Sequence, residues 1–188
     1  MKKLITVLLV LSASFVNAQA FKGKGDTKFQ VGLNMQKWGT GITVSTDFGL
    51  GENMSFGFVS SYLLNTKSYT MSETEYVMNN PNYDPIIDGA YIPKKEDAKF
   101  MDRFDVKARF NANIGNVLNF SEKLDVYPGL NLGLRNFGAH LGARYFFTDG
   151  FGVFSEMNFP LAKYGSNDDV FDKLNNQFVL NIGASFNL

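Results

Sequence analysis

The 188-residue chain contains no cysteine and only one histidine, His140. Disulfide bonds, thiolate nucleophiles, zinc–thiolate sites and lipid attachment to an N-terminal cysteine are therefore excluded, and so is a site with several histidine ligands. Lysine plus arginine and aspartate plus glutamate each number 18, so the basic excess that attracts nucleic acid is also missing. The composition predicts no metal, no cofactor and no nucleic-acid partner.

Long apolar runs are also scarce, and the one that exists lies at the start of the chain. Residues 1–3 are Met-Lys-Lys, residues 4–11 are apolar apart from Thr6, and residues 16–20, Val-Asn-Ala-Gln-Ala, supply the small alanines for cleavage. The run is about half of the ~20 residues that a membrane-spanning helix needs. This pattern predicts a cleaved secretory signal peptide over 1–18 and one domain over 19–188. Any membrane crossing by that domain must use strands.

The domain shows a repeated alternation of apolar and polar residues with a period of two, which is typical of strands. Eight segments carry it: 28–36, 41–49, 54–64, 104–114, 124–135, 139–147, 151–158 and 177–188. Turn residues separate the segments, and no helix-period segment follows the signal peptide. Pro128 predicts a bulge or strand end because it lacks an N–H for the ladder. The pattern predicts an all-β fold, an eight-stranded antiparallel up-and-down β-barrel.

Two connections between these segments are long, 65–100 and 159–176. In an up-and-down order they join strands three to four and seven to eight, so both emerge at the same end of the barrel. The termini and the shorter connections 49–53, 115–123 and 148–150 lie at the other end. Outer-membrane barrels place long loops outside and short turns in the periplasm. The order therefore predicts extracellular long loops and periplasmic termini.

Alternation alone fits a soluble lipocalin-like barrel as well as a membrane barrel. The strongest segments run about 10 to 12 residues, which is the length a tilted strand needs to cross a bilayer. Aromatic residues gather near segment ends, as in interfacial girdles. These features favour a transmembrane barrel with a polar interior. Its predicted lumen network comprises Asp105, Lys107, Arg109, Arg135, His140, Arg144 and Glu156.

The C-terminal segment 183–188 resembles the assembly signal of bacterial outer-membrane barrels, with Gly183 followed by Phe186 and Leu188. It departs from that pattern at Ile182, where a polar residue is usual, and at Leu188, where phenylalanine is commoner. The domain is similar in size and layout to small eight-stranded bacterial outer-membrane β-barrel proteins, most of all those of the Bacteroidetes group. This resemblance implies an outer-membrane location, contact with outer-membrane lipid and with the barrel assembly machinery during biogenesis, and no particular activity.

Catalytic patterns are sparse. His140 could serve as the base of a small outer-membrane lipid hydrolase, but no Gly-x-Ser-x-Gly motif supplies a nucleophile, so a structural histidine is favoured. Asp105, Lys107 and Arg109 could line a narrow pore. The interior of an eight-stranded barrel is only wide enough for side chains, which favours a salt-bridged plug.

The connection 65–100 is rich in tyrosine and acidic residues, and composition alone leaves open whether it is ordered. Tyrosine offers contact area at low entropic cost, which makes Tyr69, Tyr76, Tyr83 and Tyr91 candidate contact residues. The spacing of Asp84 and Asp88 is too sparse for a calcium loop. The sequence predicts a non-enzymatic structural or interaction role, in which long loops contact an extracellular ligand or a larger outer-membrane complex. A lipid hydrolase and a narrow pore are the alternatives.

Overall fold

The computed structural model of the chain describes residues 19–93, 95–118, 121–164 and 170–188. The predicted signal peptide 1–18 lies outside the described residues, and so do residues 165–169 of the second long connection. The strands of the described part, in chain order, are β1 Thr27–Gln36, β2 Gly39–Gly51, β3 Met54–Thr66, β4 Tyr69–Thr70, β5 Lys95–Glu96, β6 Phe104–Ala112, β7 Leu124–Gly133, β8 Asn136–Phe146, β9 Phe151–Lys163 and β10 Val179–Asn187.

Eight of these strands form one closed antiparallel barrel in the order β1-β10-β9-β8-β7-β6-β3-β2. The first and last strands close it, with Lys28 opposite Asn187 and Gln36 opposite Val179. The other two strands, β4 and β5, pair with each other as a separate small sheet within the connection from β3 to β6. The structure confirms the predicted eight-stranded antiparallel up-and-down barrel.

The barrel has two distinct ends. Residue 27 of β1, residue 187 of β10 and the connections after β2, β6 and β8 lie at one end, which we call the terminal end. The connections after β1, β3, β7 and β9 lie at the other, which we call the loop end. Both long connections therefore emerge together, as the parity of the segments predicts.

The barrel is polar inside and apolar outside. Arg109 and Glu156 point inward and are each 2% exposed, whereas Leu33 and Leu132 point outward and are 59% and 58% exposed. Exposed outward residues occur on every barrel strand, and examples are Val31, Val44, Phe58, Phe110, Leu130, Leu141, Val153 and Ile182. Folding in water buries apolar surface, so this arrangement is the reverse of a soluble barrel.

Strand β7 passes through Pro128 without a register shift, and Pro128 lies opposite Leu141 of β8. The expectation of a bulge or strand end at Pro128 is therefore wrong for the pairing of β7 with β8. On the other side, the ladder between β6 and β7 ends at the pair Asn111 and Gly129, and Gly129 is the residue that follows Pro128. The missing N–H thus falls where β7 has no ladder partner on the β6 side, which is the position at which proline is tolerated.

The described residues also form three short α-helices, in stretches where the sequence shows no helix-period segment: α1 Glu73–Asn79, α2 Phe100–Arg103 and α3 Gly115–Leu118. Ser72 caps α1 by accepting a hydrogen bond from the Glu75 N–H at 3.3 Å, and the two glutamates of the first turn favour the positive helix end. None of the residues of α1 is buried. The helix therefore has no apolar stripe, and its sequence shows no helical period of apolar residues. No helix in the described ranges is long and apolar enough to span a bilayer.

Small apolar clusters close both ends of the barrel. At the terminal end, Ala20 packs against Phe146 and donates a backbone hydrogen bond to the Glu122 carbonyl at 2.7 Å, and Phe21 is also buried. At the loop end, Leu63, Ala98 and Leu174 form a buried cluster, with Trp38 and Phe171 packed against it. The polar interior therefore lies between two apolar caps.

Candidate functional site

Arg109 of β6 lies at the centre of the interior and binds two carboxylates. Its Nε and Nη2 donate to the two oxygens of Asp47 at 2.6 and 2.7 Å, and its Nη1 donates to Glu156 at 2.6 Å. Nη2 also donates to Gln30 and Ser45, each at 3.0 Å. A fork that engages a carboxylate with two parallel hydrogen bonds is the strongest geometry available to arginine. Arg109 therefore ties β6 to β1, β2 and β9 across the lumen.

Arg144 of β8 provides the second cationic centre. Its Nε donates to Asp125 at 2.9 Å, and its Nη1 donates to Asp47 at 3.2 Å. The guanidinium lies over the ring of Tyr127, 4.5 Å from the ring centroid. Asp47 consequently lies between Arg109 and Arg144, and these three side chains and that of Asp125 are all buried. Such buried charges are tolerated only when they are paired and hydrogen-bonded, as these are.

The hydrogen bonds between interior side chains form a closed ring. In order, the ring passes through Glu156, Asn158, Asn131, His140, Asn111, Ser55, Asn113, Asp125, Arg144, Asp47 and Arg109. Its links run from 2.6 Å at Arg109 to 3.5 Å between Asn131 and Asn158. A buried polar network whose members are hydrogen-bonded to one another favours a single arrangement of the side chains.

His140 belongs to this ring and uses both of its nitrogens there. Nε2 donates to the Oδ1 of Asn111 at 2.7 Å, and Nδ1 accepts from the Nδ2 of Asn131 at 3.3 Å. These partners fit a neutral imidazole with its proton on Nε2. A general base needs a free ring nitrogen within reach of the group it deprotonates. The geometry around His140 is therefore that of a structural histidine.

The other predicted lumen residues lie nearer the loop end. Asp105 is buried, with the Nζ of Lys107 3.6 Å away, and Lys107 donates to Asn136 at 3.0 Å. Arg135 lies apart from the central network, at the turn between β7 and β8, where Asp102 and Asp172 are 3.6 and 3.7 Å from it. The alternation predicts an inward Arg135, but strand β7 ends at Gly133, so Arg135 lies beyond the strand and its side chain lies at the rim.

The prediction left out several buried interior residues that contact this network, among them Asp47, Asp125 and Tyr127. All three lie on the polar parity of their strands, in which residues separated by two share a face. Asp47 lies in the weak segment 41–49, where glycines and threonines blur the alternation. A strict parity assignment of every segment would have placed these three residues inside.

Glycines give the large interior side chains their space. Tyr127 lies opposite Gly142, and a Cβ added to Gly142 would stand 2.2 Å from the Cζ of Tyr127. His140 lies opposite Gly129 in the same way, with 2.4 Å between such a Cβ and Nε2. Each of these two large rings therefore covers a cross-strand glycine.

Replacing Gly142 with alanine should destabilise the barrel by about 1 to 3 kcal/mol, because the added methyl group overlaps the Tyr127 ring in a close-packed interior. The free energy of unfolding in urea, measured on the purified folded protein, tests this. Gly150→Ala is the matched control, since no heavy atom lies within 4 Å of a Cβ at Gly150. Equal stabilities of the two variants would contradict the packing described for Tyr127.

The long connection 65–100 is ordered around three of its tyrosines. The ring of Tyr76 lies 5.1 Å from that of Tyr83 and 5.0 Å from that of Tyr91, measured between centroids. The hydroxyl of Tyr83 donates to the Gly89 carbonyl at 2.7 Å, and that of Tyr91 donates to the Met71 carbonyl. These rings, with Asp88 and Glu96, line an open cavity of about 460 Å³. Three of the four tyrosines predicted as contact residues, Tyr76, Tyr83 and Tyr91, are therefore half-buried and hold the loop together.

The charges of the loop act on two of its tyrosines. Tyr69 donates a hydrogen bond to Glu75, and this bond raises the pKa of Tyr69 to about 12. Burial against neighbouring groups raises the pKa of Tyr83, and the charge of Glu73 adds to the shift. Both phenols are therefore neutral donors at physiological pH.

The most exposed apolar side chains of the connection are isoleucines. Ile86, Ile87 and Ile92 are 92%, 81% and 82% exposed. The first two lie on a tight turn, in which the Ile86 N–H donates to Asp84 at 2.8 Å and the Asp84 N–H donates to Asp88 at 2.9 Å. The turn thus presents two isoleucines in a fixed position. No group of three or more histidine, aspartate or glutamate side chains in the described ranges is placed to hold a metal ion.

Three comparisons relate the chain to known proteins. The sequence model of a family described as "Family of unknown function (DUF6646)" matches residues 11–188. No curated protein matches the chain in sequence. The chain is similar in structure to the N-terminal β-barrel domain of Pseudomonas aeruginosa OprF, with 10% sequence identity and a TM-score of 0.45, over 89% of this chain and 100% of that domain.

Proposed function

The chain belongs to the DUF6646 family of unknown function, and we propose that it is a non-enzymatic outer-membrane β-barrel whose long loop contacts a partner. In this proposal the barrel is a rigid anchor, and the connection 65–100 is the contact element. The partner is an extracellular ligand or a larger outer-membrane complex.

The observation that carries the membrane location is the inside-out distribution of polarity. Charged pairs fill the interior, while outward apolar side chains are exposed on every barrel strand. An apolar outer band around a polar interior is what a bilayer selects in a closed barrel, because lipid satisfies no polar group. Aromatic pairs at the strand ends, such as Phe29 with Phe186 and Phe159 with Phe178, agree with two interfacial girdles.

The proposed orientation places the loop end outside the cell and the terminal end in the periplasm. It is supported by the two long connections, which leave the barrel at the same end, and by the short connections at the other end. The predicted signal peptide would direct the chain to this destination, and its cleavage remains a prediction, as does the resemblance to the Bacteroidetes group.

The contact role of the loop is supported by its order and by its exposed apolar tip. The helix α1, the small β4–β5 sheet and the tyrosine cluster give the loop a fixed shape. A shaped loop loses less entropy on binding than a flexible one. Ile86, Ile87 and Ile92 project from that shape, so the contact area that the sequence assigns to tyrosines is offered mainly by isoleucines.

The interior geometry gives less support to the two alternatives. His140 has partners on both nitrogens, so a hydrolase mechanism based on it has no free base in this conformation. The ionic network around Arg109 and Arg144 crosses the lumen, and apolar clusters cap both ends. Side chains that fill an eight-stranded barrel leave no aqueous channel.

Shortening the loop should abolish partner binding and leave the barrel folded. Thr70 of β4 pairs with Lys95 of β5, so replacing residues 71–94 with Asn-Gly closes the small hairpin with a two-residue turn. Partners are compared by purifying tagged protein in mild detergent from membranes of the native cells. The loss should be nearly complete, because a hot spot typically contributes at least about 2 kcal/mol.

The narrower variant Ile86→Ser with Ile87→Ser should weaken the same contact without shortening the chain. Its matched control is Val117→Ser, since Val117 is 66% exposed and lies in α3 at the terminal end. Undiminished partner recovery by both loop variants would contradict the contact role. Loss of a lipid hydrolase activity in His140→Ala, with that activity retained after loop shortening, would instead favour the hydrolase alternative.

A further inference from the structure

Three lysines converge on the only tryptophan of the chain. Trp38 lies in the turn between β1 and β2, at the loop end of the barrel. The Nζ atoms of Lys37, Lys67 and Lys173 lie 5.8, 5.0 and 5.5 Å from the centroid of its ring. The three lysines come from three separate connections, so the fold brings them together and the sequence does not.

These lysines carry positive charge that no described carboxylate pairs with. The ion pairs of the described residues engage Lys28, Lys107 and three arginines, and Lys37, Lys67 and Lys173 are not among them. Asp172, the chain neighbour of Lys173, faces Arg135. All three lysines are exposed. Three positive charges beside the same ring repel one another, and an anion bound among them would offset this repulsion.

The platform beneath the lysines is rigid and partly apolar. Trp38 packs against the buried cluster of Leu63, Ala98 and Leu174, and its carbonyl accepts a hydrogen bond from the Lys67 N–H at 3.1 Å. A cavity of about 120 Å³ opens beside the ring, with Trp38, Tyr69, Phe171 and Leu174 on its apolar side and Lys67 and Lys173 at its edge. An anion with an attached apolar part fits this combination.

We propose that this Trp38 platform binds the phosphate-bearing headgroup of an anionic lipid of the surrounding bilayer. The inference rests on the proposed membrane location, which places the loop end of the barrel at a membrane surface. Tryptophan favours that interface, and clustered lysines attract anionic headgroups there. The lysines serve as point charges around the phosphate, and the apolar cavity receives the adjoining part of the lipid.

The single tryptophan is also the reporter for the test. The full domain is reconstituted into phosphatidylcholine vesicles that contain a fixed fraction of brominated lipid, either phosphatidic acid or phosphatidylcholine. Bromine quenches nearby tryptophan, so quenching of Trp38 measures which lipid lies beside it. We expect stronger quenching by brominated phosphatidic acid at an equal fraction, and a weaker preference as salt rises.

Charge variants then assign the preference to the three lysines. Each lysine near an anionic surface favours the anionic lipid about fivefold, so K37Q/K67Q/K173Q should lose the preference. K37R/K67R/K173R should keep it. The matched control K22Q/K24Q/K95Q removes three exposed lysines elsewhere and should also keep it. Added inorganic phosphate should leave the quenching unchanged if the lipid headgroup is the ligand.

Three results would overturn the proposal: equal quenching by both brominated lipids, an unchanged preference in K37Q/K67Q/K173Q, or displacement by free phosphate. The last result would assign the platform to a soluble phosphate compound. Failure of the domain to insert into any vesicle, with recovery as a soluble protein, would instead contradict the membrane location on which the inference rests. Insertion without lipid preference leaves the barrel proposal intact and removes only the headgroup site.

Discussion

Replacing Arg109 with methionine is expected to lower the free energy of unfolding of the barrel by about 3 to 5 kcal/mol. Methionine keeps much of the side-chain volume but removes the guanidinium that binds Asp47 and Glu156 at 2.6 Å. The two carboxylates then remain buried with fewer partners, and breaking a buried pair in this way costs about 3 to 5 kcal/mol. Urea unfolding of the lipid-reconstituted protein, followed by tryptophan fluorescence, provides the measurement.

Two further arginine variants distinguish the stability that comes from the hydrogen-bonded network from the stability that comes from positive charge alone. Arg109→Lys should recover only part of the loss, because an ammonium group cannot form the two parallel hydrogen bonds to Asp47. Arg135→Gln should cost less than about 1 kcal/mol, since the ion pairs of Arg135 lie at the partly exposed rim. If Arg109→Met is as stable as Arg135→Gln, the central role of Arg109 is wrong.

The barrel could be predicted because its strongest signal is local. Alternation with a period of two marks each strand, and the number of segments and the lengths of their connections determine the order and the two ends. The same parity placed Arg109, His140, Arg144 and Glu156 inside, where the structure also has them. Which face a residue lies on depends only on its position along its own strand, so the sequence is sufficient to predict the inward residues.

The network itself could not be predicted, because it depends on register across strands. Asp47 meets Arg109 and Arg144 only because β2, β6 and β8 stand at particular heights around the lumen. The match of Tyr127 with Gly142 depends on pairing across β7 and β8 in the same way. Register is determined by turns and interior packing together, and neither is visible in a single segment.

The long loop was harder to predict for a different reason. Its order comes from contacts between tyrosines that are seven and fifteen residues apart, and such contacts leave no periodic pattern. Ser72 and Glu75 did carry a visible helix-start signal, an acidic residue three positions after a capping serine. The exposed isoleucines have no sequence signature, because exposure depends on the fold of the whole connection.

Replacing Val44 with arginine is expected to lower the free energy of unfolding in lipid by about 2 to 4 kcal/mol, the cost of a charge on the lipid face at the bilayer midplane. Val44 points outward from β2 and is 36% exposed. It lies opposite Val31, and the neighbours Gln30 and Ser45 both bind Arg109. Val44 is therefore at the height of the central network, midway along the barrel.

The matched control is Val77→Arg, in which the same substitution is made at a valine of similar exposure, 41%, in α1 of the long loop. Water surrounds Val77 in the proposed orientation, and surface substitutions of this kind usually stay within about 0.5 kcal/mol. In a soluble barrel Val44 would also face water, and both variants would then be nearly neutral. The difference between the two variants therefore measures whether lipid surrounds the strands, and equal stabilities would contradict the membrane location.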